Sequence, residues 1–220
     1  MLKSASSIST LLFDWDGTIV DSAHLGLTAY QKAFAELDAI FSEEIYQAHY
    51  SPNWHRTYEA LGLPRDKWPQ ADDLWRLHYD NQTVGIIEGA AETLLALHDN
   101  GYRLGVVTSG NGDRVTREVE QFALTDLFEV VVCHEHITNR KPHPEGIELA
   151  LAGLGSPPDE TAYVGDAPED IEMGKQAGLL TVGVRSNYPS SVRLRDSAPD
   201  IYLDSIGELT RHFRGAGKID

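Results

Sequence analysis

Short runs of apolar residues recur along the chain, and each run is bounded by Gly, Asp or Thr. Runs of this length, rich in Val, Ile and Leu, are typical of strands that are covered on both faces, as in a parallel sheet. The pattern therefore predicts strands at 11–13, 104–107, 130–132, 162–164 and 179–184.

Segments with a helical period lie between the later runs. Within 115–122, for example, Val115, Val119 and Phe122 fall on one face of a helix. The same reasoning predicts helices at 90–97, 115–122, 144–154 and 170–177. Alternation of strand and helix predicts an α/β fold with a doubly wound parallel sheet, a Rossmann-like core.

The interval 20–84 interrupts this alternation. It contains no convincing strand, it is rich in aromatic residues, and it has helix-like stretches at 22–37, 42–50, 53–61 and 72–82. We therefore predict an inserted α-helical cap domain at 20–84, on a core domain formed by 1–19 and 85–220. Most of the aromatic residues are expected to form the core of the insert itself.

Two carboxylates, Asp14 and Asp16, follow the first predicted strand, and Gly17 comes directly after them. In an open α/β sheet, ligands bind beyond the carboxyl ends of the strands. Alternation sends both carboxylates the same way while the backbone is extended, and Gly17 allows a sharp turn. Two carboxylates alone would also suit a solvated turn at the end of a strand. Whether Asp14 and Asp16 form a ligand site therefore depends on the residues at the other strand ends.

The other strand ends also carry polar groups. The segment 108–111 offers hydroxyl and successive backbone N–H groups that suit phosphate oxygens. Lys141 follows the third strand, just before a helix, and prolines follow it at 142 and 144. Asp166 and Asp170 follow the fourth strand, about one helical turn apart. Four strand ends therefore carry groups that could act on an anionic substrate.

Charge limits the class of partner. Asp plus Glu number 34 against 18 for Lys plus Arg, which gives a formal net charge of -16. Such a surface repels phosphate backbones, so a nucleic-acid partner is not expected. An anionic substrate would need a locally positive pocket built from a metal, a lysine or backbone N–H groups.

Length and composition describe an ordinary globular protein: 220 residues, of which 41% are hydrophobic. No eighteen apolar residues follow one another, and no signal-peptide core is present, so we expect no membrane span. The lone Cys133 excludes an internal disulfide and favours a reducing compartment. We expect a cytoplasmic protein, as a monomer or a small homo-oligomer.

The order and placement of these motifs resemble the haloacid dehalogenase superfamily of phosphohydrolases, over nearly the whole chain. The signatures of that family are Asp-x-Asp-Gly-Thr, a Thr or Ser after the second core strand, a Lys before a later helix, and Gly-Asp-x-x-x-Asp. They stand here at 14–18, Thr108, Lys141 and 165–170. Phosphoglycolate phosphatases and their close relatives are the nearest resemblance.

The resemblance implies a Mg²⁺-dependent phosphatase. Asp14 would be the nucleophile that forms an aspartyl phosphate. Asp16 would protonate the leaving oxygen and then activate the water that hydrolyses this intermediate. The side chains of Asp14 and Asp166 and the backbone carbonyl of Asp16 would hold Mg²⁺.

The resemblance also implies groups around the phosphate. Thr108 and Lys141 would act in catalysis by holding the phosphoryl oxygens. Thr18 and Asp170 would support these groups from behind, with Asp170 orienting Lys141 or a metal-bound water. Carboxylates brought together without a cation would have sharply raised pKa values, which is a separate reason to expect Mg²⁺. The implied phosphate-binding residues of the core are Asp14, Thr108, Ser109, Gly110 and Lys141.

The insert resembles the helical cap of this family, which closes over the site and contacts the substrate beyond its phosphate. Arg56 is a candidate for pairing with a substrate carboxylate, although a solvated position on the cap is the plainer interpretation. The expected substrate is a small phosphomonoester, phosphoglycolate-like or a sugar phosphate.

Departures from the pattern narrow the chemistry within the family. Dehalogenating and phosphonate-cleaving members lack or replace the second aspartate, so Asp16 favours an oxygen leaving group. Mutase-like members with a helical cap tend to carry a His where this chain has Gly26. A phosphosugar mutase of the β-phosphoglucomutase type and a non-catalytic regulatory protein on the same scaffold remain as alternatives.

Overall fold

The computed structural model describes residues 5–80 and 82–214. Residues 1–4, 81 and 215–220, which belong to the predicted core and to the last predicted cap helix, lie outside this description. In chain order the strands are β1 (Thr10–Phe13), β2 (Val20–Asp21), β3 (Gly85–Ile86), β4 (Arg103–Val107), β5 (Phe128–Val132), β6 (Thr161–Gly165), β7 (Leu180–Val184) and β8 (Ile201–Leu203). The α-helices are α1 (Ala23–Glu36), α2 (Glu43–His49), α3 (Trp54–Ala60), α4 (Trp68–Asp80), α5 (Ala90–Asp99), α6 (Gly112–Gln121), α7 (Glu145–Leu154), α8 (Pro168–Gln176) and α9 (Leu209–His212).

Six strands form one parallel sheet in the order β5-β4-β1-β6-β7-β8. Its two faces are both buried: Leu11 and Phe13 belong to one hydrophobic cluster, and Leu12 belongs to another with Tyr163. This alternation explains why β1 reads as a continuous apolar run. The predicted doubly wound α/β core is confirmed.

The register of the central strand positions the polar residues that follow it. Phe13 pairs with Val106 on β4 and with Val164 on β6. The three strands therefore end side by side, and the segments that begin at Asp14, Thr108 and Asp166 emerge at one edge of the sheet.

Two features of the sheet differ from the prediction. The edge strand β8 was not predicted, because its three residues are too few to give an apolar run between Asp200 and Asp204. The interval predicted to lack strands begins with β2, which pairs with β3 in a two-stranded antiparallel ribbon. This ribbon joins the two ends of the helical insert to the core.

Two predicted helices begin earlier than expected. Helix α6 starts at Gly112, because the side chain of Asn111 caps it by accepting a hydrogen bond of 3.3 Å from the Arg114 N–H. Helix α8 starts at Pro168, since proline suits the first turn of a helix. The carboxylate of Asp170 consequently lies in the first turn of α8.

Helices α1 to α4 form the cap. Their aromatic residues pack against one another, with Tyr30 contacting Tyr46, Tyr58 and Trp75 at centroid distances of 5.3, 5.9 and 6.1 Å. A separate hydrophobic cluster for the insert is thus present, while its exact boundaries at 20 and 84 stay a prediction. Across residues 5–80 and 82–214, no helix is both long and apolar enough to cross a membrane.

Candidate active site

Lys141 lies at the centre of a buried cluster at the carboxyl edge of the sheet. Its Nζ donates to Asp14 Oδ1 at 2.7 Å and to Asp170 Oδ1 at 2.8 Å. It also donates at 3.0 Å to the hydroxyl of Tyr163, which itself donates to the Val107 carbonyl at 2.7 Å. Lys141 is 2% exposed, so its ammonium group interacts with the two carboxylates and not with solvent.

The ionisation of Asp14 is finely balanced. Burial raises the pKa of its carboxyl from the ordinary value of 3.8 to about 7, against the opposing charge and hydrogen bond of Lys141. Burial also disfavours the charged form of Lys141, but the carboxylates of Asp14 and Asp170 outweigh it and hold the pKa of the ammonium well above its ordinary value. Lys141 is therefore cationic, and Asp14 titrates near neutrality.

Asp166 completes an acidic group beside this cluster. Its Oδ2 accepts a 2.5 Å hydrogen bond from the Ser186 hydroxyl. Burial, followed by the charges of Asp170 and Asp14, raises its pKa well above the ordinary value. One carboxylate oxygen from each of Asp14, Asp166 and Asp170 lies within 4.8 Å of the others.

These residues fit a magnesium ion. Three carboxylates offer the oxygen ligands that Mg²⁺ prefers, and the raised pKa values of Asp14 and Asp166 reflect a charge conflict that a cation would relieve. A Cβ at Gly17, where φ is +81°, would lie 2.5 Å from Asp166 Oδ2, so glycine leaves the space that this carboxylate occupies. The carboxylate of Asp16 lies outside this acidic group, and the expected contribution of its backbone carbonyl stays a prediction.

Asp16 is held by a cation from a different element. The guanidinium of Arg114, on α6, donates from Nη1 to Oδ1 at 3.0 Å and from Nη2 to Oδ2 at 2.5 Å. The Ser22 hydroxyl donates to Oδ1 at 2.7 Å. Burial disfavours ionisation, but Arg114 and Ser22 outweigh it and lower the pKa of Asp16 below its ordinary value. Asp16 is therefore in its basic form.

The partners of Arg114 extend from the core to the cap. Its Nη1 pairs with Glu118 at 3.1 Å, and Trp15 Nε1 donates to the same carboxylate at 2.6 Å. Its guanidinium lies 4.8 Å from the ring centroid of Tyr79, on cap helix α4. The sequence interpretation missed this network. The sequence feature that could have indicated it is the pair Arg114 and Glu118, which have opposite charges and lie one helical turn apart, next to the apolar face of α6.

The segment after β4 forms a compact loop. Thr108 is buried, and its Oγ1 accepts a 3.0 Å hydrogen bond from the backbone N–H of Gly110. A Cβ on Gly110 would overlap with the Arg114 guanidinium, so glycine allows that side chain to cross the loop. Thr108, Ser109 and Gly110 all line the cavity beside Asp14, and their role in binding phosphate stays a prediction. Thr18 is buried, and its expected supporting role stays a prediction.

A cavity of about 220 Å³ lies between these residues and the cap. Arg56 is exposed and is not among the residues that line the cavity, so the structure does not place it for the expected pairing with a substrate carboxylate. Arg140 lines the cavity instead, and it was not predicted. The residues that line the cavity include Asp14, Asp16, Gly26, Tyr50, Trp54, Asp72, Trp75, Arg76, Thr108, Arg114, Arg140, Asp166 and Tyr188.

Arg140 connects the core to the cap. Its Nη1 contacts His55 Nδ1 at 2.8 Å, and its guanidinium lies 4.2 Å from the ring centroid of Trp54. On another side of the cavity, the Ser51 hydroxyl donates to Glu169 Oε1 at 2.7 Å. The cap is therefore docked on the core, which limits the access of water to the carboxylates.

Comparison with known proteins identifies relatives of similar length. A pyrophosphatase PpaX of Listeria monocytogenes serotype 4b is 30% identical over 210 residues, which cover 92% of this chain and 94% of that protein. A pyrophosphatase PpaX of Bacillus pumilus is 32% identical over 206 residues, which cover 93% and 95% of the two chains.

Solved structures share the fold. A predicted phosphoglycolate phosphatase of Haemophilus somnus has a TM-score of 0.82 at 22% identity, covering 93% of this chain and 97% of that one. CbbY of Rhodobacter sphaeroides, in complex with phosphate, has a TM-score of 0.75 at 23% identity, covering 92% and 96%. Residues 11–184 match the sequence model of the haloacid dehalogenase-like hydrolases. The chain belongs to this family of hydrolases.

Proposed function

We propose that this hydrolase is a Mg²⁺-dependent phosphatase that acts on a small phosphomonoester through an aspartyl phosphate on Asp14. The observation that carries the proposal is the contact of Lys141 with Asp14 and Asp170, next to Asp166 and the loop at Thr108. Nucleophile, cation and oxygen ligands thus meet where a phosphoryl group would lie.

In the first step, an oxygen of Asp14 forms a bond to phosphorus, and the ester bond to the leaving oxygen breaks. Lys141 holds Oδ1, which leaves Oδ2 for the attack. Asp16 supplies the proton that the leaving oxygen requires. Because Arg114 holds the pKa of Asp16 below its ordinary value, Asp16 would first have to take that proton from solvent, to which its side chain is 22% exposed.

In the second step, water attacks the phosphorus of the aspartyl phosphate, and the bond between phosphorus and Asp14 breaks. Asp16 accepts a proton from this water, and its ion pair with Arg114 stabilises the basic form that this step needs. Phosphate leaves, and Asp14 is restored. One residue thus acts as acid and then as base.

The magnesium ion would be held by Asp14 and Asp166, with Asp170 beside them. When bound, it supplies positive charge that neutralises the carboxylates and polarises a phosphoryl oxygen. The Thr108 hydroxyl and Ser109 would contact the remaining phosphoryl oxygens.

Pyrophosphate is a second candidate substrate. It is favoured by the sequence relatives of this chain, which are named pyrophosphatases. The same attack by Asp14 would apply, with inorganic phosphate as the leaving group. The location of the protein and its oligomeric state stay predictions from the sequence.

A panel of small phosphomonoesters, with pyrophosphate and a sugar monophosphate, tests the proposal. We expect released phosphate with Mg²⁺, none after EDTA, and none from Asp14→Asn. The sugar monophosphate arm is also analysed for an isomerised product, which would identify a mutase. Hydrolysis that EDTA does not alter, or that Asp14→Asn retains, would contradict the proposal.

A further inference from the structure

Two stacked aromatic pairs contribute to the wall of the cavity. Trp75 stacks on Tyr79 at a centroid distance of 4.8 Å and an interplanar angle of 23°. Tyr188 stacks on Tyr50 at 5.0 Å and 26°. Because each lining ring is held by its neighbour, these surfaces are ordered before a ligand arrives.

Gly26, inside helix α1, opens the space between the two pairs. A Cβ at this position would lie 3.7 Å from the Tyr188 hydroxyl and 3.8 Å from Trp75 Cζ2. Glycine is unfavourable inside a helix, and the backbone here does not have a positive φ that would require it. What Gly26 provides is therefore room, and a longer side chain would enter the cavity.

The charges of the cavity do not suit a second strongly anionic group. Four carboxylates line it, at Asp14, Asp16, Asp72 and Asp166. Within the described residues, each of the three lining guanidinium groups already has a polar partner, so an added phosphoryl or carboxylate group would have to displace one. These pairs are Arg114 with Asp16, Arg76 with Asp73, and Arg140 with His55.

The cap end of the cavity offers polar groups beside an aromatic surface. Asp72 and Trp75 lie one helical turn apart on α4, and both line the cavity. Asp72 Oδ1 accepts a 3.0 Å hydrogen bond from the Tyr58 hydroxyl, and a carboxylate can accept others. Trp75 Nε1 is buried without a hydrogen-bond partner among the described residues, so Trp75 contributes its ring and not its N–H to the cavity wall. A flat ring with polar substituents matches such a surface.

The volume limits the size of the leaving group. The cavity measures about 220 Å³. Such a cavity has room for a phosphoryl group with one small ring.

We propose that Gly26, Trp75 and Tyr188 form a subsite for a flat ring on the leaving alcohol. The substrate class is then a phosphomonoester of a compact, ring-bearing alcohol, in preference to pyrophosphate or phosphoglycolate. This inference rests on the proposed function, because it concerns the part of the substrate that leaves.

The first test compares kcat/KM for five probes. Pyridoxal 5′-phosphate and benzyl phosphate carry a flat ring, cyclohexylmethyl phosphate carries a puckered ring of similar size, and phosphoglycolate and pyrophosphate carry none. We expect kcat/KM for the flat-ring esters to exceed that for each other probe by about tenfold. Equal values for benzyl and cyclohexylmethyl phosphate, or a preference for pyrophosphate, would overturn the subsite.

The second test fills the subsite with Gly26→Leu. The ratio of kcat/KM for benzyl phosphate to that for phosphoglycolate should fall about tenfold, whereas general damage to the fold would leave this ratio unchanged. Gly26→Ala, whose Cβ meets its neighbours at ordinary contact distance, should fold and give a smaller decrease. Gly153→Leu, an exposed helical glycine outside the cavity, is the control and should keep the wild-type ratio. An unchanged ratio in Gly26→Leu would overturn the inference.

Binding separates failure of this inference from failure of the proposed function. Asp14→Asn is titrated with benzyl phosphate and with pyrophosphate, and the fluorescence of Trp54 and Trp75 at the cavity is followed. We expect benzyl phosphate to bind more tightly than pyrophosphate and to lose this advantage in Gly26→Leu. That result supports the subsite even if the wild-type enzyme hydrolyses none of the probes. Hydrolysis of pyrophosphate with no preferential binding of benzyl phosphate would overturn the subsite and leave the phosphatase proposal standing.

Discussion

Arg114 contacts both carboxylate oxygens of Asp16, at 3.0 and 2.5 Å, through two donors of one guanidinium. This geometry fixes the orientation of the carboxylate as well as its charge. Arg114 is 5% exposed, so solvent screens the pair little. The candidate acid and base of the reaction is thus positioned by helix α6, next to the phosphate-binding loop.

We expect Arg114→Met to destabilise the protein strongly. It leaves Asp16 and Glu118 buried without their cation, which costs about 3 to 5 kcal/mol when one partner of a buried pair is removed. Urea unfolding measures the change. The control is Arg117→Met on the same helix, where an exposed pair with Asp80 is lost, and it should cost no more than about 1 kcal/mol. Similar small losses in both variants would show that the Arg114 pair contributes little.

Helix α6 illustrates what the sequence could predict. The spacing of Val115 and Val119 correctly predicted the buried face, because apolar periodicity reports burial directly. The same pattern could not show that Arg114 is also buried, since the partner of its guanidinium, Asp16, is distant in the chain. Contacts of this kind follow from the register of the strands and from the docking of the cap.

The residues of the candidate site also fall into two groups: those that the sequence could predict and those that it could not. Asp14, Thr108, Lys141, Asp166 and Asp170 all follow strands of one parallel sheet, so their meeting at one edge could be predicted. The cap residues could not be predicted, because cap geometry depends on how four helices pack. The expected role of Arg56 illustrates this limit, since its position near a helix start indicated nothing about which face of α3 meets the core.

Removing the nucleophile should abolish turnover without unfolding the protein. Asp14→Asn keeps the shape of the side chain, but its neutral amide is too weak a nucleophile to form the acyl phosphate, so kcat should fall by at least about 1,000-fold. Steady-state assays with Mg²⁺ measure the loss, and circular dichroism verifies the fold. Asp99→Asn, which changes an exposed carboxylate on α5, is the control and should keep wild-type kcat. Appreciable turnover by Asp14→Asn would reject the assignment.

Asp166 should control the requirement for magnesium. Asp166→Asn replaces a charged oxygen ligand with a neutral one, so the Mg²⁺ concentration for half-maximal stabilisation should rise about tenfold or more. The shift of the unfolding temperature with Mg²⁺ provides the measurement and does not depend on activity. Asp204→Asn, exposed and away from the acidic group, should titrate like the wild type. A titration of Asp166→Asn that overlays the wild type would show that this carboxylate is not a ligand.

The contribution of Asp14 to the stability of the metal-free protein should decline as the pH rises. Because folding raises the pKa of Asp14 to about 7, its stabilising contribution is complete below about pH 4 and is lost as the pH rises through 7. The free energy of unfolding in EDTA should fall by about 2 to 4 kcal/mol more in the wild type than in Asp14→Asn between pH 4 and 8. Urea unfolding at several pH values measures this difference. Parallel pH profiles of the wild type and Asp14→Asn would mean that burial does not raise the pKa of Asp14.

Trapping of phosphate on Asp14 tests the central claim most directly. The protein is mixed with a hydrolysed phosphomonoester and Mg²⁺, quenched in acid at millisecond intervals, digested and analysed by mass spectrometry. The account predicts that phosphate is attached transiently to the peptide containing Asp14, at the aspartate itself, and that EDTA prevents the attachment. Turnover with no phosphate on Asp14 at any quench time, or with phosphate on another residue, would contradict it.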